Sequence, residues 1–518
     1  MKLFIKKPIA QLMAASAETE KSLKRTLGVG SLIALGIGAI IGAGIFVRTA
    51  AAAGQHAGPA VTISFLIAAA GCALAGLCYA EFASMIPIAG SAYTYSYATM
   101  GEFIAWIIGW DLVLEYALGA ATVSIGWSQY FNAFLETFFH THIPFAISHS
   151  PWEVSTTTTG MYANELGTHG IINLPAIFIL LMLTLLLIRG TAESAIVNNV
   201  IVIVKVAIVL MIIGLGWHFI NPANHVPYMI PADAGTVNTN TGPVNYADTF
   251  NHGWLGVLRG ASVVFFAFIG FDAVSTAAQE AKNPQRDMPK GILISLVICT
   301  ALYILFSHVL TGLVSYKEFL IQGKEASVSY AIKAAMPGYG WLSSLVTVSI
   351  LAGFSSVILV MLMGQTRVFY TMSTDGLIPS IFSKLHPKFR TPYKSQWLFF
   401  GFVSLFAGFI PDSVVGEMVS IGTLFAFVLV CLGIFILRKT DPDIVRPFKT
   451  PWYMVVCPLG AIICLCMIAS EGLENWLRLI GWLLIGFVIY FGYSVKRSHV
   501  RHGKVEAAND PINPKFLE

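Results

Sequence analysis

Long apolar stretches separated by short polar ones run through almost the whole chain. A helix that spans a bilayer needs about 20 consecutive, predominantly apolar residues, and on that measure the pattern predicts an all-α integral membrane protein with twelve transmembrane helices. We number these predicted helices 1 to 12 in chain order. They lie near residues 28–53, 58–86, 101–131, 171–189, 195–219, 253–280, 289–314, 342–373, 395–411, 413–437, 452–470 and 475–495.

Predicted helices 1 and 6 are interrupted by sequence that a lipid-facing helix rarely contains. Helix 1 carries a glycine-rich run from Gly36 to Phe46, and helix 6 carries a run from Phe266 to Asp272, which ends in a carboxylate. Non-helical backbone at membrane depth is tolerated where it lines a cavity or is buried in protein. The two runs therefore indicate broken helices, and the alternative is that the small residues only allow neighbouring helices to pack closely.

The positions of the two interruptions predict the domain organisation. Five helices precede helix 6, and because five is an odd number, helix 6 enters the membrane in the opposite direction to helix 1. An inverted repeat would bring the two breaks together near the midplane, where transporters built this way bind substrate. The repeat is inferred from position alone, since no residue-by-residue repeat is evident. The predicted order is a tail (1–27), a first five-helix repeat (28–219), an inverted second repeat (253–437), helices 11 and 12 (452–495) and a second tail (496–518).

Composition and charge agree with a membrane location. The chain is 56% hydrophobic and 11% charged, against roughly 25% charged in soluble domains. Lys and Arg are concentrated in the two tails and in the loops near 281–291, 374–395 and 438–451, whereas the long loops 132–170 and 220–252 contain none. Because cytosolic loops carry the excess of basic residues, both termini are predicted to be cytosolic, in the inner (plasma) membrane. The net charge of +4 is too small to indicate a nucleic-acid partner.

A break in a helix leaves backbone N–H and C=O groups without intrahelical partners, and such groups can hold a free amino acid. N–H groups at the start of a half-helix attract a carboxylate, and carbonyl groups accept hydrogen bonds from an α-ammonium. The predicted donors are the N–H groups of Gly42, Ala43 and Gly44. The predicted acceptors are the carbonyls of Ile40, Ile41, Phe266, Ala267 and Ile269.

Lys205 lies in the middle of predicted helix 5, too far from either end to reach the membrane surface easily. A lysine at that depth costs roughly 2.5 to 3.5 kcal/mol on insertion scales, so some other interaction must offset the cost. We hypothesise that Lys205 couples a proton to transport, with its ammonium in the place that a sodium ion would take. The alternative is a permanently charged strut bonded to carbonyls.

Asp111 and Glu115 lie at positions i and i+4 on one face of predicted helix 3. A membrane-embedded enzyme would use such a pair, but no HExxH, GxSxG or similar motif accompanies it. We expect Glu115 to be a polar partner at or beside the pocket, and a structural hydrogen bond to a neighbouring helix is the alternative. His308 is expected to pack rather than to carry protons. Four histidines in the loop 132–170 are a weak metal signal, so neither a metal nor an organic cofactor is expected.

Several local motifs occur together in the order expected of one transporter family. They are the runs Gly38 to Phe46, Tyr79 to Phe82, Gly90 to Tyr95, Gly109 to Tyr116, Phe265 to Asp272 and Glu280 to Pro289, followed by Arg367 and by Asp375, Gly376, Leu377 and Pro379. On these motifs, which cover most of residues 25–450, the chain resembles the amino acid, polyamine and organocation transporters. In particular, it resembles a bacterial member of their cationic amino acid transporter branch.

The resemblance implies a LeuT-like fold of five plus five inverted helices with two further C-terminal helices. It also implies alternating access, with substrate bound at the breaks of helices 1 and 6. Lys205 matches the lysine associated with proton coupling in sodium-independent members, and Glu115 matches a glutamate needed for transport. Where members commonly have Ser or Thr this chain has Ala43, so Ala43 belongs to the predicted site through its N–H alone. Bacterial relatives can prefer small neutral amino acids, so the branch name does not establish a cationic substrate.

The sequence thus predicts a proton-coupled importer of L-amino acids, with no enzymatic step. Its expected partners are the free amino acid, a proton as the coupling ion and the lipid bilayer. An amino acid exchanger without proton coupling is the nearest alternative. A membrane-embedded enzyme or a nutrient sensor is less favoured, because no catalytic constellation is visible and the tails are too short for a sizeable effector domain.

Overall fold

Helices make up most of the protein in a computed structural model, which describes residues 3–8, 27–42, 44–86, 91–155, 161–189, 192–239, 242–276, 278, 281–321, 327–387, 389 and 391–502. Helices lie on each of the predicted segments. Within the described residues, nine helical segments are long and apolar enough to cross a membrane, and two of them contain a break. One of them, Val29–Met85, covers predicted helices 1 and 2, while Leu174–Arg189 and Tyr393–Phe409 are shorter, at 16 and 17 residues.

Up to residue 219, the described part of the chain contains nine α-helices. Its α-helices are α1 (Val29–Ile40), α2 (Thr49–Ala52), α3 (Val61–Met85), α4 (Ser91–Thr99), α5 (Glu102–Val113), α6 (Gly119–Phe139), α7 (Phe145–Ser148), α8 (Leu174–Arg189) and α9 (Ala192–Gly216). A π turn over Leu114–Leu118 joins α5 to α6 without interrupting the helix.

A small β-hairpin lies in the loop that follows α9. Strands β1 (Thr236–Thr239) and β2 (Gly242–Asn245) pair in antiparallel fashion, with Thr236 opposite Asn245. The remaining helices are α10 (Gly253–Phe265), α11 (Ala273–Thr276), α12 (Pro284–Leu313), α13 (Tyr316–Ile321), α14 (Ser327–Ala335), α15 (Gly340–Thr374), α16 (Tyr393–Phe409), α17 (Asp412–Thr440), α18 (Tyr453–Ser470), α19 (Leu473–Ile489) and α20 (Val495–Arg497).

The long helices pack into one apolar bundle. The helix α3 contacts α12 and α10, α1 contacts α12, and α15 contacts α6. Helices such as α3 and α5 are apolar on all sides, as expected where protein or lipid surrounds a helix. The end of the bundle that carries residues 3–8, the start of α12 and α20 is called here the terminal face, and the end that carries the hairpin is called the opposite face.

Two helices of the bundle are broken where the sequence predicted interruptions. The helix α1 ends at Ile40, Ile41 has φ −76° and ψ 97°, and helical structure resumes as a π turn at Gly44. The helix α10 ends at Phe265 and passes into a 3₁₀ turn. There Gly270 has φ 107°, and helical structure resumes at Ala273. Both breaks free backbone groups from intrahelical hydrogen bonds.

Candidate substrate site

The two breaks lie against each other in the core of the bundle. A Cβ atom at Gly270 would lie 2.9 Å from the carbonyl oxygen of Ala39, and a Cβ atom at Gly44 would overlap the backbone of Ala267. Glycine is therefore needed at both positions because two backbones approach closely, and at Gly270 also because φ is positive. From the sequence, the small residues could either interrupt the helices or allow them to pack closely. In the structure they do both.

Lys205 reaches the first break from α9. Its Nζ donates hydrogen bonds to the carbonyl oxygens of Gly38 at 3.0 Å and Ile41 at 2.8 Å, and to Oγ of Ser356 at 3.3 Å. The side chain is buried. Carbonyl groups that the break releases from α1 therefore compensate the buried ammonium, which would otherwise be costly.

Gly353 of α15 makes room for the lysine. A Cβ atom at Gly353 would lie 2.9 Å from Cε of Lys205, in contact with the aliphatic stem. The stem therefore passes through a notch in α15 on its way to the break in α1. This role of Gly353 has no signal in the sequence, because a single glycine in an apolar helix is compatible with many kinds of packing.

Tyr303 of α12 joins the two breaks. Its hydroxyl lies 2.8 Å from the carbonyl oxygen of Ile40 and 2.8 Å from the carbonyl oxygen of Ala267. A hydroxyl carries one hydrogen, so it donates to one of these carbonyls at a time. The other carbonyl is then left with acceptor capacity that a substrate ammonium can use. Sequence reasoning missed Tyr303, because a lone tyrosine in an apolar helix gives no indication of what it faces.

The predicted donors and acceptors that the structure describes are buried and belong to the two breaks, but their backbone groups differ in their partners. The carbonyl of Ile41 accepts from Lys205, and the carbonyl of Phe266 accepts from the N–H of Ile269 at 3.3 Å. Gly42 lies against Val357 of α15, where a Cβ atom would be 2.9 Å from the valine side chain. Ala43 lies outside the described residues. The carbonyls of Ile40 and Ala267, which share one hydroxyl, are the acceptors that sit where the breaks meet.

A group of buried carboxylates lies beside the break in α10. Glu115 is fully buried on the π turn Leu114–Leu118, and Asp111 and Asp272 are the acidic groups that act on it electrostatically. Oδ2 of Asp272 accepts a 2.6 Å hydrogen bond from the hydroxyl of Tyr116. Glu115 is therefore in a protonatable cluster that includes a residue of the break. A π turn inside an α-helix is frequently found at a functional site.

A charged cavity opens above the breaks toward the opposite face. Arg48, Gln129, Glu153 and Glu417 are among its lining residues. The guanidinium of Arg48 lies over the ring of Phe266, 5.4 Å from its centroid, and also donates to the backbone carbonyl of Asp412 at 2.9 Å. Arg48 therefore separates this cavity from the break in α10, and it connects the half-helix that follows the first break to the start of α17.

His142, His149 and His308 each contact a neighbouring side chain. His142 lies 2.9 Å from Glu165, and His149 stacks on Phe145 with 3.8 Å between ring centroids. The ring of His308 packs 4.5 Å from that of His225. Among the residues that the structure describes, no group of three His, Cys, Asp or Glu side chains is arranged to hold a metal ion.

Comparison with known families decides the class of protein. Residues 27–492 match the family model described as amino acid permease. The chain belongs to the amino acid permease family. The permease is 44% identical over 496 residues to the branched-chain amino acid permease BcaP of Bacillus subtilis (strain 168), covering 96% of this chain and 98% of that relative.

Two further relatives carry other substrate names. The permease is 41% identical over 496 residues to the methylthioribose transporter of Bacillus subtilis (strain 168), covering 96% of this chain and 98% of the relative. It is 34% identical over 421 residues to cationic amino acid transporter 4, vacuolar, of Arabidopsis thaliana, covering 81% of this chain and 64% of the relative. All three relatives are named as permeases or transporters and not as enzymes. The family resemblance read from the motifs is thus confirmed, and the permease is a multi-pass membrane transporter.

Proposed function

We propose that this permease is a proton-coupled L-amino acid importer that works by alternating access. In this proposal the twelve helices adopt a LeuT-like inverted repeat, 28–219 and 253–437, and the terminal face is cytosolic, in the bacterial plasma membrane. The observation that carries the proposal is the meeting of two broken helices whose free carbonyls are shared between Lys205 and Tyr303.

The substrate amino acid is held by backbone groups in this proposal. Its α-ammonium takes the acceptor capacity that Tyr303 leaves free at Ile40 or Ala267. Its carboxylate faces the N–H groups from Gly42 to Gly44, at the start of the half-helix that follows the first break, where the helix dipole favours negative charge. This arrangement recognises the part that all amino acids share, so the side chain of the substrate is selected elsewhere in the pocket.

Lys205 is the coupling residue in this proposal. While it is an ammonium, it holds the carbonyls of Gly38 and Ile41, and with them the end of α1. Loss of the proton weakens hydrogen bonds that are charge-assisted, which releases this end of α1 to move relative to α9. Proton release and movement of the first break are thereby linked. Glu115 and Asp272 are protonatable neighbours of the second break and do not replace Lys205 in this role.

We propose that the substrate is a neutral, branched-chain amino acid. Two relatives, from Bacillus subtilis and from Lactococcus lactis, are named branched-chain amino acid permeases. Aromatic side chains pack at the second break, where Phe268 contacts Phe65 and Tyr303. An apolar environment of this kind suits a hydrocarbon side chain better than a guanidinium or ammonium.

The test is uptake into proteoliposomes that contain the purified permease. An inside-alkaline pH gradient should drive accumulation of labelled leucine, isoleucine and valine, whereas labelled arginine, lysine and methylthioribose should accumulate less. Collapse of the gradient with a protonophore should abolish accumulation. Uptake that occurs only when the liposomes are preloaded with amino acid, whatever the pH gradient, would replace the proposal with an exchanger.

A further inference from the structure

A groove on the terminal face, away from the substrate site, runs between the start of α12 and the loop before α18. Arg286, Lys290, Leu293, Ile294, Pro447 and Phe448 are among its lining residues. The groove belongs to the same face as the start of α1, because the N–H of Lys282 donates to the carbonyl of Leu27 at 2.8 Å. Its other wall is fixed to the end of α3, because the N–H of Phe448 donates to Oγ of Ser84.

The α12 side of the groove changes from basic to apolar along the helix. Arg286 and Lys290 are one turn apart, and Ile294 follows one turn later. Val297 continues this face toward the middle of the bilayer and is 68% exposed. From Arg286 to Val297 the helix rises about 16 Å, which is comparable to the depth of one leaflet's hydrocarbon. The side chains of Arg286 and Lys290 therefore lie at one end of an apolar strip, formed by Ile294 and Val297, that lipid acyl chains can cover.

Among the residues that the structure describes, neither Arg286 nor Lys290 is paired with an acidic side chain. Both side chains are exposed. By contrast, other arginines of this face are paired, for example Arg438 with Glu81 and Arg501 with Glu102. The two groove cations are therefore free to bind an anion.

Residues that follow the groove in the chain are typical of the level where a membrane ends. Trp452 directly precedes α18 and is 84% exposed, and Lys449 beside it is exposed too. Exposed Trp next to basic residues is typical of the boundary between hydrocarbon and head groups. An anion that meets both the cations and the apolar strip at this level is the head group of a phospholipid.

We propose that this groove binds an anionic phospholipid of the phosphatidylglycerol class. Its phosphate lies between Arg286 and Lys290, and an acyl chain lies along Leu293, Ile294 and Val297. The inference rests on the proposed function only for the assignment of the terminal face to the cytosolic leaflet. Because the groove joins α12, which carries Tyr303, to the end of α3, the lipid would stabilise the packing of these two helices.

The test counts lipids on the purified full-length permease by native mass spectrometry. The wild type is titrated with phosphatidylglycerol and, separately, with phosphatidylcholine of the same acyl chains. We expect phosphatidylglycerol to bind more tightly, and the double variant Arg286→Gln, Lys290→Gln to weaken it by roughly fivefold for each cation removed. The control variant is Lys384→Gln, Lys496→Gln, which removes two exposed basic residues elsewhere on the same face and should bind as the wild type does.

Three results would overturn the inference. They are equal binding of the two lipids, equal loss of binding in both double variants, and displacement of the lipid by millimolar inorganic phosphate, which would identify a site for free phosphate. Thermal unfolding of each variant in detergent shows that it is folded. Lipid counts do not depend on transport, so a permease that fails the uptake test can still pass this one.

Discussion

Lys205 illustrates how a single side chain and a helix break depend on each other. The break frees carbonyls that would otherwise be bonded within α1, and the ammonium uses two of them, at Gly38 and Ile41. Without the lysine these carbonyls would be buried and short of donors, and without the break the lysine would be a costly buried charge.

We expect Lys205→Ala to abolish the accumulation of leucine that a pH gradient drives. Counterflow, which is the entry of labelled leucine into liposomes loaded with unlabelled leucine, should continue. The reason is that counterflow requires only the substrate site, whereas accumulation requires a group that carries the proton. Both are measured in the same proteoliposomes. Lys333→Ala, an exposed lysine on α14, is the control and should behave as wild type.

Two results would separate coupling from a permanently charged strut. Undiminished gradient-driven uptake by Lys205→Ala would contradict proton coupling. Loss of accumulation and counterflow together, in a folded variant, would favour the strut, because the whole site would then depend on a fixed charge.

We expect Tyr303→Phe to raise the KM for leucine roughly tenfold, or about 1.4 kcal/mol, because the substrate site loses the hydroxyl that orders its two breaks. Ile40 and Ala267 would lose their shared donor, and the two breaks would no longer be held at a common distance. Initial uptake rates at several leucine concentrations provide the measurement. Tyr330→Phe is the matched control, since it removes a hydroxyl that bonds the carboxylate of Glu318 and not a carbonyl of either break. A KM unchanged from wild type would show that Tyr303 does not order the site.

At the scale of helices, the position of each break could be predicted from a dense glycine cluster in one apolar segment and from a glycine and a carboxylate in the other, which lipid-facing helices rarely contain. The π turn at Leu114–Leu118 and the hairpin of β1 and β2 could not. A π turn replaces a few hydrogen bonds without altering apolar composition, and the hairpin lies in a loop whose residues show no strict alternation.

The fit of the two breaks predicts a sharp response to one added methyl group. In Gly44→Ala the new Cβ would overlap the backbone of Ala267, and backbone cannot move aside as a side chain can. We expect uptake to fall roughly tenfold or more, as for an overpacked core. Gly401→Ala adds the same group on α16 where nothing lies within 4 Å, so it should keep wild-type uptake. Equal activity of the two variants would mean that the breaks are not in close contact during transport.

At the scale of the whole molecule, both ends of the described chain converge on the terminal face. The N–H of Glu102 donates to the carbonyl of Ile5, and Lys7 pairs with Asp375 at 2.7 Å. From the other end, Arg501 pairs with Glu102 at 2.5 Å. The basic character of the tails could be predicted from sequence, and it indicated their side of the membrane. Their partners could not, because Glu102 and Arg501 are 399 residues apart and no local pattern connects them.

Glu102 makes this convergence testable, because it is fully buried and surrounded by donors from three parts of the chain. Tyr97, Tyr490, Ser498 and Arg501 all bond its carboxylate.

In Arg501→Ala the hydroxyl donors remain but the cation is lost, and a buried carboxylate without its cation typically costs roughly 3 kcal/mol or more. We therefore expect a clearly lower thermal unfolding midpoint in detergent. Arg497→Ala removes an exposed arginine that lies over the ring of Tyr493 and donates a long, 3.5 Å hydrogen bond to its hydroxyl, and should shift stability by roughly 0.5 kcal/mol at most. Equal midpoints for the two variants would show that the C-terminal segment rests on the terminal face without stabilising it. A lower midpoint for Arg501→Ala alone would mean that the segment after α20 closes the bundle through the ion pair of Arg501 with Glu102.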